Sequence, residues 1–355
     1  MGKNHSFWEL FWKSACRSRI SNRTVREAGP HEAQNEKQRH SLYGGDFLAI
    51  VKTDVPMTSQ LCNETIDALV RTYPFLRTDP LTTTAFGRPV RTLTIGQGER
   101  QVIFSAAHHA NEWITTPVLL KFAEQLAEAI QSGGTVYGVP AATIDRYCTI
   151  HLVPMVDPDG VDLVTGAIEP GTLEYETAVR MAERYPAIPF PNGWKANLLG
   201  VDLNLQYPAG WRMAREIKFS QGFTRPGPRD YVGRAPLNQR ESIALAEFTE
   251  EIDPALVLAY HSQGKVIYWQ FRDYEVPGAR ELAEEFARVS GYSAEDTPYE
   301  SSFAGYKDWF IQNFRRPGFT IEVGSGTSPL PLSQFDEIYR DNLGILVTAA
   351  LGLPA

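Results

Sequence analysis

Three short apolar runs, far apart in the chain, each lead into a chemically active residue. Gln101–Ala106 runs into His108-His109-Ala110-Asn111-Glu112, Ala255–Tyr260 runs into His261, and Gly318–Val323 carries Glu322 near its end. Short apolar runs bounded by turn residues read as strands. Val90–Ile95 and Cys148–Val153 read the same way. Between them lie stretches with helical apolar spacing: Thr58–Tyr73, a helix opened by Thr116-Pro117 with Leu119, Leu120, Phe122, Leu126 and Ile130 on one face, Gln239–Phe248 and Tyr339–Leu351. Gly96-Gln97-Gly98 and Asp157-Pro158-Asp159-Gly160 read as turns. Strands alternating with helices imply an α/β sheet with helices on both faces. In open sheets of this kind ligands bind outside the carboxyl ends of the strands. The pattern therefore delivers His109, Glu112, His261 and Glu322 to one edge.

Two imidazoles and one carboxylate form a three-ligand zinc set and leave a fourth position open for water. The H-x-x-E pair His109 and Glu112, with His261, predicts one zinc ion per chain. Glu322 sits between Ile321 and Val323. A carboxylate in an apolar strand is costly unless it is paired, and here it can take the proton from the water. His108 has the wrong spacing to Glu112 and reads as a packing residue. His151 alternates with apolar neighbours and reads as structural.

Residues 1–55 differ from the rest. Lys13, Arg17, Arg19, Arg23 and Arg26 make the front basic, and Glu27–His40 is polar. This predicts a poorly ordered or accessory N-terminal extension ahead of a catalytic domain over residues 56–355. The net charge of −8 argues against nucleic acid as the main partner. Cys16, Cys62 and Cys148 are too few and too scattered for a disulfide framework, which points to a reducing compartment. No apolar run approaches membrane-span length. The first residues lack an apolar core and a cleavage site, so a cytoplasmic location is expected, with spore or cell-wall association as the alternative. The oligomeric state is left open.

In combination, His109-Ala-Asn-Glu112-Trp, Asp157-Pro-Asp-Gly160, Trp194-Lys195, Gly200-Val-Asp-Leu-Asn204, His261-Ser262 and Thr320-Ile-Glu322 resemble the zinc carboxypeptidase family of the carboxypeptidase A type. The match runs from about residue 58 to 355. It implies a single α/β/α domain with a mixed twisted sheet and a zinc site at the carboxyl ends of the strands. It implies that His109, Glu112 and His261 hold zinc, that Glu322 is the general base, and that Asp202 orients the first zinc histidine. Asn204 and Ser262 are implied on the substrate side. Tyr299 best matches the family's mobile tyrosine, with Tyr306 as the substitute.

Two positions depart from the family pattern. Its oxyanion arginine is Lys195 here, which keeps the charge without the bidentate fork. Its carboxylate-clamping arginine, after the Asn, is Leu205. This pattern, with Ala304-Gly305-Tyr306-Lys307-Asp308-Trp309-Phe310, is similar to the bacterial γ-D-glutamyl-L-diamino acid endopeptidase I branch. The expected substrate is a peptidoglycan stem peptide cut before meso-diaminopimelate or lysine. Arg212, Arg215 or Lys218 is expected to reach the far end of that diamino acid. A conventional metallocarboxypeptidase and a zinc amidohydrolase of N-acyl amino acids are the competing enzyme readings. A binding protein on an inactive peptidase scaffold is the non-enzyme reading. The segment Gly193–Gly233, rich in Arg and aromatics, reads as a wall for a larger substrate.

Overall fold

The computed structural model describes residues 49–353. Most of the segment expected as an extension therefore lies outside the described residues. Of the part that does not, Val51 is buried, and the Ile50 and Val51 amides donate to Glu124 Oε1.

Helix α1 (Ser59–Thr72) starts where a side-chain cap is available: Thr58 Oγ1 accepts from Leu61 N at 3.1 Å. Strands β1 (Pro80–Thr83) and β2 (Pro89–Arg91) pair antiparallel, followed by β3 (Leu93–Ile95) and β4 (Arg100–Ala106). The run Val90–Ile95 is thus two strands, not one. Thr92 N donates to Asp79 O, so the front half pairs with β1 while the back half joins the main sheet. Next come α2 (Thr115–Ser132), a small hairpin β5 (Thr135–Val136) and β6 (Val139–Pro140), α3 (Ala141–Tyr147) and β7 (Cys148–Val153). The Asp-Pro-Asp-Gly segment is a helix start rather than a turn. Asp157 caps α4 (Pro158–Thr165) by accepting from Gly160 N at 3.0 Å, with proline at the first helical position. The chain continues through α5 (Leu173–Ala182), α6 (Trp211–Ser220), α7 (Arg240–Ile252), β8 (Leu256–His261), β9 (Val266–Tyr268), α8 (Ala279–Ser290), β10 (Ser293–Glu295), α9 (Tyr306–Phe314), β11 (Gly318–Glu322) and α10 (Phe335–Leu351).

The main sheet has the order β10-β9-β11-β8-β4-β7-β3. The central strands β11, β8, β4 and β7 are parallel, and antiparallel pairs flank them at β9 and β3. Alternate residues of the central strands face opposite layers. Phe104 meets Phe122 of α2, and Phe319 meets Phe286 of α8. Ile103 and Val257 pack on the other side with Leu245 of α7 and Trp309 of α9. The central strands are buried on both faces, so they read as continuous apolar runs rather than as alternation. Cys62 and Cys148 are free and buried. Among the described residues no helix is long and apolar enough to cross a membrane.

Candidate metal centre and its cavity

Strand register brings the polar residues together. Ala106 lies opposite Tyr260, and His261 lies opposite Glu322. Past Ala106 the chain turns sharply. Ala107 has φ 48°, a conformation few non-glycine residues adopt. Three hydrogen bonds hold it there. Ala107 N donates to Thr115 Oγ1 at 3.0 Å, Thr115 Oγ1 donates to Glu112 O at 2.7 Å, and Asp157 N donates to Ala107 O at 3.0 Å. Strained backbone persists where its surroundings over-determine it. The single helical turn Ala110–Glu112 that follows turns Glu112 back toward His109.

His109, Glu112 and His261 are buried, and one ligand atom from each lies within 4.8 Å of the others. His109 Nδ1 is 3.0 Å from Glu112 Oε1, His261 Nδ1 is 2.9 Å from Oε2, and the two Nδ1 atoms are 3.2 Å apart. On its other side His109 Nε2 lies 3.2 Å from Asp202 Oδ1. That carboxylate can only accept when ionised, so the contact assigns the proton to Nε2 and leaves Nδ1 for the centre. Asp202 is itself fixed, accepting from Asn204 N at 3.1 Å and from Asp230 N at 3.2 Å. Two imidazole nitrogens and a carboxylate aimed at one point fit zinc.

The electrostatics agree with a cation site. Burial alone would raise the Glu112 carboxyl, but Lys195 and His109 outweigh it and hold the group well below the usual range. Burial would lower His109, but Glu112 outweighs it and takes the imidazole up to about 9. Burial pushes His261 below its ordinary value. Burial and the nearby Glu112 charge push Glu322 up to about 8. Its carboxyl lies half-buried at the end of β11.

Lys195 stands beside the ligands. Ala110 N donates to Lys195 O at 3.1 Å, and Lys195 Nζ is 2.7 Å from Glu112 Oε1. Asn204 Oδ1 accepts from Tyr306 N at 3.0 Å, while the residue lines the cavity beside the centre. Ser262 acts through its backbone, its amide donating to Glu112 Oε2 at 3.1 Å, while its hydroxyl bonds Ser328 Oγ at 2.8 Å. Tyr299 is 60% exposed and packs edge-on against Phe303, along a groove next to the cavity rather than in its lining. Tyr306 is fully buried, bonded to Thr249 Oγ1 at 2.8 Å and stacked on His108, so it is a wall and not a swinging group. His108 also stacks on His261 and packs the ligand in place.

The cavity holds about 190 Å³ and is lined by Glu322, Lys195, Asn204 and a buried Leu205. Of the three basic residues considered on α6, Arg212 and Arg215 are exposed and Lys218 turns inward, 2.7 Å from Asp230 Oδ1. Arg229, Asp230, Lys307 and Asp308 also line it, and the sequence reading assigned none of them a role. Arg229 and Asp230 lie in a loop rich in Pro and Gly without periodicity. Lys307 and Asp308 did leave a signal, since they are adjacent charges among Tyr306, Trp309 and Phe310, buried and 2.6 Å apart.

The zinc carboxypeptidase family model matches residues 62–344. The γ-D-glutamyl-L-diamino acid endopeptidase 1 of Lysinibacillus sphaericus is 45% identical over 81% of this chain and 70% of that protein. The uncharacterized protein YqgT of Bacillus subtilis (strain 168) is 36% identical over 79% of this chain and 73% of that protein. Carboxypeptidase A of Helicoverpa armigera superposes with a TM-score of 0.65 at 17% identity, covering 97% of this chain and 86% of that one, which establishes the shared fold. Sequence, fold and ligand geometry converge: the chain belongs to the zinc carboxypeptidase family and is a metallopeptidase.

Proposed function

We propose that this enzyme hydrolyses the γ-D-glutamyl bond to a diamino acid, meso-diaminopimelate or lysine, in peptidoglycan stem peptides. The observation that carries this is Leu205. It lies buried in the cavity wall where the family pattern has a carboxylate-clamping arginine, in a cavity that holds charges of both signs. A terminal α-carboxylate finds no guanidinium fork at that position. A diamino acid presents charge at the far end of its side chain instead, and Lys218, Asp230, Lys307 and Asp308 line the cavity to receive it. The 45% identical endopeptidase supports the same reading.

Zinc held by His109, Glu112 and His261 would acidify water and polarise the carbonyl. Glu322 accepts the water proton and returns it to the leaving amine. The Lys195 ammonium faces the developing oxyanion. Asp202 and the Ser262 amide hold His109 and Glu112 in position. The decisive comparison is between L-Ala-γ-D-Glu-meso-diaminopimelate and a hippuryl L-dipeptide. The first should turn over faster by a wide margin. Faster hippuryl cleavage would restore a conventional carboxypeptidase.

A further inference from the structure

A second cavity, of about 480 Å³, opens on the other side of the centre. Lys195, Arg229 and Glu322 line both cavities. Leu205 and Asn204 line only the first, which makes the first the leaving-group side and the second the acyl side. The reacting carbonyl must lie between them, beside Glu322. Lys195 supplies one positive charge for its oxyanion. Arg229 is a second cation at the same junction.

Its placement is built. Arg229 Nε donates to Asp230 Oδ2 at 2.6 Å. Asp230 is held in turn by Lys218 at 2.7 Å and by its own amide on Asp202, with φ 64°. The guanidinium is therefore anchored on one edge by the Asp230 carboxylate, and Asp230 is tied by its amide to Asp202, the residue bonded to His109. Its side chain remains 38% exposed, with the fork open to the cavities.

A γ-linked glutamyl residue carries a free α-carboxylate four bonds from its scissile carbonyl carbon, about 5 Å away when extended. Resting on the function proposed above, we propose that Arg229 binds this α-carboxylate and selects for the γ-glutamyl residue on the acyl side. A planar fork matches a carboxylate bidentately, which a lysine cannot reproduce.

The test compares L-Ala-γ-D-Glu-meso-diaminopimelate with the same peptide whose glutamyl α-carboxylate is amidated, using zinc-loaded enzyme. Wild type should favour the carboxylate form by about 30-fold in kcat/KM, the scale of a charge-assisted pair. Arg229→Gln should shrink this preference to under about threefold, and Arg229→Lys should fall between. Zinc content and melting temperature of the variants check their integrity. A preference that survives in Arg229→Gln overturns the assignment, and so does an equal loss on both peptides, which would mark Arg229 as structural or as an oxyanion group. Wild type inert toward both peptides would instead sink the proposed function, and this assignment with it.

Discussion

The contact of Asp202 with His109 predicts a measurable zinc defect in Asp202→Asn. The Asp202 carboxylate accepts from His109 Nε2 and Asn204 N on one oxygen and from Asp230 N on the other. An amide has one acceptor. Pointing it at His109 keeps two of the three bonds but sets its NH2 against the Asp230 amide, and the opposite flip loses two. The first orientation wins. A charged acceptor for the imidazole becomes a neutral one, which forfeits about 1 kcal/mol of a bond worth roughly 1.5–3 kcal/mol. The donor–donor conflict at Asp230 is present with and without zinc, so it lowers stability by about 1 kcal/mol and cancels from the metal affinity. The remaining loss of about 1 kcal/mol corresponds to a zinc dissociation constant raised about fivefold.

The pH of that assay matters. Without zinc His109 titrates at about 9, so below that pH a proton competes for the site. Asparagine loosens the proton as well as the metal. The defect should be widest above about pH 9 and should narrow toward neutrality. Competition with a fluorescent chelator across that range measures it. An affinity within about twofold of wild type at high pH, with the metal-free protein equally stable, would refute the orienting role of Asp202.

Glu322→Gln should retain zinc and lose turnover by at least about 10²-fold, and near wild-type rates would show that another group takes the proton. Leu205→Arg should shift the ratio of hippuryl to muropeptide turnover upward by about tenfold or more, and an unmoved ratio would show that residue 205 does not set the choice. His151 should make stability pH-dependent. Burial lowers it to about 4, and neutral His151 meets Thr94 Oγ1 at 3.2 Å and Gln101 Oε1 at 2.8 Å. Its folded pKa lies below the unfolded value near 6.5, so the full contribution is present above that pH and about 3 kcal/mol is lost as pH falls through 4. Urea unfolding at pH 7 and pH 4 measures this, and a His151→Gln profile as steep as wild type would exclude His151 as the cause.

The candidate metal site was legible because its residues are tied to strand ends. β4, β8 and β11 are continuous apolar runs, so their carboxyl ends could be located to within a residue or so, and the ligands follow directly. Glu322 announced itself as a charge in an apolar strand, and Asp202 and Leu205 through one short motif. What stayed hidden is tertiary. Thr92 divides a strand only because Asp79 waits across a hairpin. Helices α5, α6 and α8 bury only one narrow face each, so few apolar residues mark them in the sequence. Arg229 becomes a site residue only when a loop without periodicity folds over Asp202. Spacing placed Tyr299 ahead of Tyr306, and of the two Tyr299 is exposed while Tyr306 is fully buried.

The charge inventory of the first cavity explains why Leu205 can replace an arginine. Its lining carries Lys195, Lys218, Arg229 and Lys307 with Asp202, Asp230, Asp308 and Glu322, four basic and four acidic side chains beside His109 and His261. A cavity built for a lone terminal carboxylate needs an excess of positive charge, and an arginine at residue 205 would supply it. This cavity instead holds fixed pairs of opposite charge. Two of its pairs, Lys218–Asp230 and Lys307–Asp308, are preformed at 2.7 and 2.6 Å. Buried pairs of this kind add little to stability, because desolvation offsets their attraction. Their use lies in preorganisation: fixed dipoles meet a ligand of mixed charge without reorganising. The far end of diaminopimelate carries an ammonium and a carboxylate on one carbon. On the proposed function, such a pair can meet both charges of diaminopimelate and the single ammonium of lysine. On the proposed function, Leu205 and the fixed charge pairs act together, one withholding a clamp from a chain end and the other receiving a side-chain end.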